Sequence, residues 1–344
     1  MNKGMLTRRA VKLIAVALVF AVVPAGLTAC ATPAENGPHK LKVVASTAVW
    51  GSVVEAIAGD KVDIKSIVNN PNQDPHSFEA SVRDQAAVNS ADLVLLTGNG
   101  YDNFMNLLIA ASHQPKDHIV KLAPNEKKVT PLSGKTVDDP HVWYDFDIVS
   151  RVANDIKLEL DKADPADAAA FALGNSKFQK GLTELKSRLD KVSNVTVCSG
   201  PLRLKGSPCP TIINRTNILQ PESVGLRLIA KFSVDATPPT VRQAVINGND
   251  ISVKDMNAIK VLFFGEIVHR GLFFGPGWPI QWLVLNSQQT NPQIEQMKAW
   301  AQKAGMTKFV SFSESLPTDK TYLTWMSDNL AQLEALRASE PGRF

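Results

Sequence analysis

Hydrophobic and polar residues alternate in blocks over the first third of the chain, in a pattern that predicts strands followed by helices. The strand segments are apolar and rich in β-branched residues, and the segments between them have helical spacing. Strands that alternate with helices of this length are typical of a parallel α/β lobe, which we assign to residues 41–144. Strands are predicted at 41–47, 62–68 and 91–97, and helices at 49–58, 81–91 and 103–112.

The pattern becomes helical over residues 145–193, where apolar residues recur at spacings of three and four. Asp164 and Pro165 interrupt it, because Asp suits a helix cap and Pro suits the first helical turn. The helix predicted after this break, over 166–191, would be roughly 39 Å long at ~1.5 Å per residue. We expect it to be a rigid connection between two lobes.

Residues 194–344 are predicted to form the second lobe, of which 198–283 are atypical. The predicted fold class is therefore α/β, with two parallel-sheet lobes joined by a long rigid helix. Strands are predicted at 194–197, 283–286 and 308–312, and helices at 294–304 and 319–336.

The first 29 residues have the order of a secretory signal: a basic start, an apolar stretch and small residues. The sequence Leu27-Thr28-Ala29-Cys30 resembles the bacterial lipobox, in which the cysteine is lipidated and becomes the new N-terminus. We therefore predict lipidation of Cys30 and a flexible tether over 30–40. Arg8-Arg9 also resembles a twin-arginine signal, so general secretion and twin-arginine export are both open.

Composition and charge exclude several classes of protein. With 44% hydrophobic and 20% charged residues, the chain is neither collagen-like, coiled-coil nor wholly disordered. The net charge of +4 comes entirely from four basic residues in the segment 1–29, which has no acid. The remainder is neutral, so nothing indicates nucleic-acid binding.

Two of the six histidines share one local sequence, Asp74-Pro75-His76 and Asp139-Pro140-His141, each with an aromatic residue two positions later. Proline stiffens such a loop, and two rigidly presented imidazoles are what a divalent transition metal needs. The Asp would orient the imidazole, the aromatic residue would pack beneath the loop, and both loops are expected to be surface features. The structural alternative is two helical turns, each with Asp as the cap and Pro at the first position.

The chain resembles the bacterial lipoproteins that bind metal for zinc or manganese ABC importers, known as the cluster 9 substrate-binding proteins. The resemblance covers most of residues 41–197 and 284–338, and its motifs occur in the family's order. The motifs are the lipobox, Asn72-Gln73-Asp74-Pro75-His76-Ser77-Phe78-Glu79, Ala91-Asp92-Leu93-Val94, Gly98-Asn99-Gly100-Tyr101-Asp102, Asp139-Pro140-His141-Val142-Trp143-Tyr144-Asp145, Asn286-Ser287-Gln288-Gln289, Ser313-Glu314-Ser315-Leu316-Pro317 and Thr321-Tyr322-Leu323-Thr324-Trp325-Met326.

The resemblance implies two α/β lobes and four metal ligands in the cleft between them. His76 and His141 match the two ligands of the first lobe. In the second lobe this chain departs from the family: a Glu or His is expected just after the strand that ends at Val197, but the sequence there is Cys198-Ser199-Gly200-Pro201. The carboxylate expected near the late strand has only weakly ligating neighbours: Asn286, Gln288, Thr290 and Asn291.

The departure extends over residues 198–241 and 261–282, while the segment between them keeps the family's character. Compensating frame slips in the gene would explain the sharp borders, and true divergence is the other explanation. In the first case Cys198 and Cys209 arise from a shifted frame. In the second they could form a disulfide, which export to an oxidising compartment allows.

We expect a monomeric, lipid-anchored binding protein on the extracytoplasmic face of the cell membrane, and not an enzyme. The resemblance implies that it captures Zn(II) or Mn(II) and delivers the ion to an ABC permease and its ATPase. Zinc is favoured, because imidazole ligands bind it more tightly than manganese. Two other functions are considered: an exported zinc metalloenzyme, in which two histidines and a carboxylate activate water, and a metal-free, adhesin-like lipoprotein.

Overall fold

The structure is a computed structural model in which part of the chain is described. The predicted signal peptide, Cys30, most of the tether, Asp139 and the strand predicted at 194–197 lie outside the described residues, as do Cys198 and Cys209. Those described are 40–123, 128–129, 137–138, 140–193, 227–230, 234–235, 240–241, 244, 250–264, 267–269, 272–274, 282–288, 292–304 and 309–338.

The first lobe contains a four-stranded parallel sheet with helices between its strands. The sequence predicts a parallel lobe with three of these strands, and it does not predict the fourth, at Ile119–Lys121. Strand order is β2-β1-β3-β4, so β1 is central and the carboxyl ends of all four strands lie at one edge. A short antiparallel pair, β5 with β6, follows this sheet. The elements are β1 (Leu41–Thr47), α1 (Ala48–Ala58), β2 (Val62–Val68), α2 (Val82–Asn89), β3 (Leu93–Leu96), α3 (Asn103–Ala110), β4 (Ile119–Lys121), β5 (Lys128–Val129) and β6 (Val137–Asp138).

Two long helices follow, α4 (Phe146–Ala163) and α5 (Ala168–Ser193). Asp145 caps α4, and its side chain accepts hydrogen bonds from the backbone of the next turn. Asp164 caps the Pro165–Asp167 turn that separates the helices, as the sequence predicts. At 26 residues, α5 is about 39 Å long.

The second lobe is built on a four-stranded sheet of order β12-β11-β7-β8. Its β11–β12 pair is parallel as predicted, whereas β7 pairs antiparallel with both β8 and β11. Strands joined by a few residues, such as β7 and β8, can pair only antiparallel, because a parallel pair needs a long crossover. The elements are β7 (Arg227–Ala230), β8 (Val234–Asp235), α6 (Val253–Phe264), β9 (Ile267–His269), β10 (Leu272–Phe274), β11 (Trp282–Asn286), α7 (Pro292–Lys303), β12 (Phe309–Phe312) and α8 (Tyr322–Ala338).

One hydrophobic core runs from the first sheet through α4 and α5 to β12 and α8. It includes Trp50 of the first lobe and Phe312 and Trp325 of the second, each almost fully buried. A separate core lies between β11, α6 and α7. The loop between β12 and α8 is therefore packed against the first lobe. Within the described part of the chain, no helix has the length and apolar character needed to cross a bilayer.

Candidate metal centre

The first Asp-Pro-His sequence forms a helical turn, Pro75–Ser77, just beyond β2. Asp74 Oδ1 accepts a hydrogen bond from the His76 backbone N–H at 2.9 Å, and the turn closes from Ser77 N to Asp74 O at 3.2 Å. Asp74 therefore caps the turn, as in the structural alternative, and it positions His76 through the backbone. The turn and the metal-ligand interpretations are compatible, because capping leaves the imidazole free to bind.

The second sequence places His141 before the turn Val142–Tyr144. Its side chain is 3% exposed, so the expectation that both loops are surface features is wrong for this one. The aromatic residue two positions later packs as predicted in both loops. The ring centroids of Trp143 and His141 are 5.3 Å apart, and those of Phe78 and Phe104 are 4.9 Å apart.

The structure brings the two imidazoles together, with ring centroids 6.1 Å apart. Tyr101 contacts both rings edge-on, at 4.9 Å from His76 and 5.8 Å from His141. The loop after β3 positions Tyr101. Its residues Gly98, Asn99 and Gly100 have positive φ values of 88°, 53° and 82°, a backbone conformation that glycine adopts at little cost. Asp102 fixes this loop by accepting the backbone N–H of Thr97 at 2.5 Å and that of Gly98 at 3.1 Å.

A third metal-ligating group, Glu314, reaches the same point from the loop after β12. Its Oε1 lies 3.2 Å from His141 Nε2 and 3.8 Å from His76 Nε2. The ligand atoms of the three residues all lie within 4.8 Å of one another. Ligands about 2.0–2.1 Å from a tetrahedral zinc ion are about 3.4 Å from each other, so this spacing suits one shared ion.

Hydrogen bonds from both lobes hold the segment Ser313–Glu314. The Tyr144 hydroxyl of the first lobe donates to the Ser313 carbonyl at 2.5 Å. Asn286, at the end of β11, donates from Nδ2 to Glu314 Oε2 at 3.1 Å. The protein itself therefore fixes the position of the carboxylate.

The pKa shifts of His76 and Glu314 are each in the direction that favours metal binding. Burial lowers the pKa of the His76 imidazole, and the neighbouring His141 adds to this effect against the opposing charge of Glu314. Burial acts to raise the pKa of Glu314, but the hydrogen bond and charge of His141, with His76 and Asn286, hold it below its ordinary value. Metal ligation requires a neutral imidazole and an ionised carboxylate.

Sequence reasoning missed Glu314 as a ligand, although the motif that contains it was part of the resemblance. The signal that could have found it is an acidic residue directly after a predicted strand, where the carboxyl edge of a sheet carries ligand sites. Among the suggested amide neighbours, Asn286 hydrogen-bonds to Glu314 and Gln288 hydrogen-bonds to the next residue, Ser315. Thr290, Asn291 and Cys198 lie outside the described residues.

Known proteins share the sequence of the first lobe and the connecting helices. The family model described as zinc-uptake complex component A, periplasmic (ZnuA), matches residues 43–196. The predicted resemblance is confirmed for this part of the chain. The ZnuA-like segment ends two residues before the atypical stretch that begins at residue 198.

The curated relatives are named as metal-binding lipoproteins. The manganese-binding lipoprotein MntA of Bacillus subtilis is 29% identical over 163 residues, which are 46% of this chain and 53% of that protein. The metal ABC transporter substrate-binding lipoprotein ScbA of Streptococcus cristatus is 30% identical over 176 residues, or 48% of this chain and 55% of that protein. The matches thus span about half the length of these relatives.

Solved structures confirm the two-lobe α/β fold. The binding protein FpvC of Pseudomonas aeruginosa, in complex with Mn²⁺, superposes with a TM-score of 0.60 at 19% identity, over 88% of this chain and 100% of that one. The periplasmic zinc-binding protein TroA of Treponema pallidum superposes with a TM-score of 0.58 at 16% identity, over 86% of this chain and 98% of that one.

Proposed function

We propose that this protein binds one divalent transition metal ion through His76, His141 and Glu314 and delivers it to an ABC importer. The observation that carries the proposal is the convergence of three ligand atoms within 4.8 Å, from loops up to 238 residues apart in sequence. Ligands that the protein already holds in position bind without large rearrangement. The relatives' names, which describe binding lipoproteins of metal ABC transporters, support binding rather than catalysis.

Zinc is the ion that we propose, with manganese as the competitor. Two imidazole nitrogens and one carboxylate oxygen are a typical zinc donor set, and such sites bind Zn²⁺ more tightly than Mn²⁺. Several relatives are named for manganese, so the two ions need direct comparison.

The test is metal binding by the purified chain, measured for Zn²⁺ and Mn²⁺ by competition with a fluorescent chelator. We expect one ion per chain. The His76→Ala, His141→Ala double variant should lose binding while keeping its circular dichroism spectrum. Loss of a direct ligand should cost at least the ~100-fold reached by changes to residues around ligands.

His113→Ala is the matched control, because His113 is exposed and outside the cluster. It should bind as the unchanged protein does. Retained binding in the double variant, or equal loss in the control, would overturn the assignment.

We also propose that Cys30 carries the lipid that holds the protein at the extracytoplasmic membrane face, next to its permease and ATPase. The lipobox is the support for this proposal. Cells labelled with radioactive palmitate should incorporate label into the protein, and Cys30→Ala should abolish it. Unchanged labelling would contradict the anchor.

A further inference from the structure

The two oxygens of the Glu314 carboxylate have different partners. Oε1 faces the imidazoles, at 3.2 Å from His141 Nε2 and 3.8 Å from His76 Nε2. Oε2 accepts a hydrogen bond from Asn286 Nδ2 at 3.1 Å. One oxygen is thus directed at the metal position and the other is engaged by a neutral amide.

The orientation of that amide is determined by its other partner. Asn286 Oδ1 accepts a hydrogen bond from the Gln288 backbone N–H at 2.9 Å, which only the oxygen end of the amide can do. The NH₂ end must therefore point at Glu314. Because Asn286 is 4% exposed, water has little access to replace this donor.

Gln288 fixes the backbone of the residue that follows Glu314. Its Oε1 accepts the Ser315 N–H at 2.8 Å, and its Nε2 donates to the Ser315 carbonyl at 3.1 Å. Ser315 directly follows Glu314, so rotation of the Glu314 side chain is opposed both at its tip and at its base.

We propose that Asn286 is a positioning residue that keeps Glu314 a one-oxygen ligand and thereby favours zinc over manganese. The inference rests on the proposed function. Zinc is satisfied by four ligands in a tetrahedron, whereas manganese prefers more, mostly oxygen, ligands. A carboxylate that is free to rotate can bind manganese through both oxygens. The Asn286 hydrogen bond keeps the second oxygen, Oε2, away from the ion.

The test compares Asn286→Leu, which removes the donor at similar size, with Ser287→Ala, which changes the exposed neighbouring side chain. Affinities of the full chain for Zn²⁺ and Mn²⁺ are measured by chelator competition. A hydrogen bond to a charged group contributes about 1.5–3 kcal/mol, so we expect zinc affinity to fall about tenfold or more in Asn286→Leu. Manganese affinity should fall less than about threefold, because the freed oxygen offsets the loss. Ser287→Ala should change neither.

A merely structural role would lower both affinities by the same factor, and an unchanged zinc-to-manganese ratio overturns the proposal. A crystal structure of the zinc-loaded, unmodified protein gives an independent answer should Asn286→Leu fail to fold. One Glu314 oxygen should lie at about 2.0–2.2 Å from the ion, and the other should remain on Asn286. Two oxygens on zinc would contradict the inference alone, while no binding of either metal would overturn the proposed function as well.

Discussion

The Tyr144 hydroxyl joins the two lobes directly beside the candidate ligand, and its removal should weaken both the fold and the metal site. It donates to the Ser313 carbonyl at 2.5 Å and accepts from Asn329 Nδ2 at 3.4 Å. In Tyr144→Phe the ring keeps its packing, for example against Trp325 at 5.6 Å, but two buried polar groups lose their partner. An unsatisfied buried group costs about 1–3 kcal/mol, so we expect a loss of unfolding free energy in that range.

The site should respond as well, because Ser313 immediately precedes Glu314. Changes around a metal ligand typically cost about 10–100-fold in affinity, and we expect about tenfold for zinc. The assay is urea unfolding with and without zinc, since a ligand stabilises the folded state to an extent set by its affinity. Ser150→Ala is the control: it removes a hydrogen bond between α4 and α5, from the Ser150 hydroxyl to Gln179 Oε1 at 2.6 Å, that involves no residue of the ligand loops, and it should leave zinc affinity unchanged. A Tyr144→Phe protein with unchanged stability and zinc affinity would refute the reasoning.

Two further predictions concern the fold. Gly174→Ala should destabilise the protein by about 1–3 kcal/mol despite the better helix propensity of alanine, because the new Cβ would lie 2.0 Å from the Ile57 carbonyl oxygen. Gly181→Ala, whose Cβ meets only the flexible Leu323 side chain, should cost less, and urea unfolding that ranks the two variants in the opposite order would contradict the packing argument. Asp84→Ala should cost about 1 kcal/mol at pH 7, because the Asp84 carboxylate closes a capping box with Ser81. Burial acts to raise the pKa of Asp84, but the Ser81 hydrogen bonds and Lys65 hold it below its ordinary value. The stability that the Asp84 carboxylate contributes is therefore present above its unfolded-state pKa and is lost as pH falls through its folded-state pKa. Thermal unfolding of both proteins at pH 7 and pH 3 checks this, and a difference in stability that grows on acidification would be the contrary result.

Local features of the sequence determined most of the first lobe. The strands β1 to β3 and the helices α1 to α3 follow from residues within a few positions, whereas β4 to β6 are not predicted. The Asp164-Pro165 break between α4 and α5 is equally local. The same holds for the first histidine turn, since capping by Asp74 and the fixed φ of Pro75 act over two or three residues. His76 and His141 could therefore be selected from the sequence alone.

Only the tertiary structure decided what completes the site. Glu314 lies 173 residues after His141 in sequence, and no local pattern distinguishes it from other acidic residues that follow strands. Its place depends on the core that packs β12 and α8 against the first lobe, and on the hydrogen bonds that Tyr144 and Asn286 donate to the loop. The mixed second sheet likewise depends on long-range strand pairing. Such contacts form between segments far apart in the chain, so their energies are set by the fold as a whole and not by neighbouring residues.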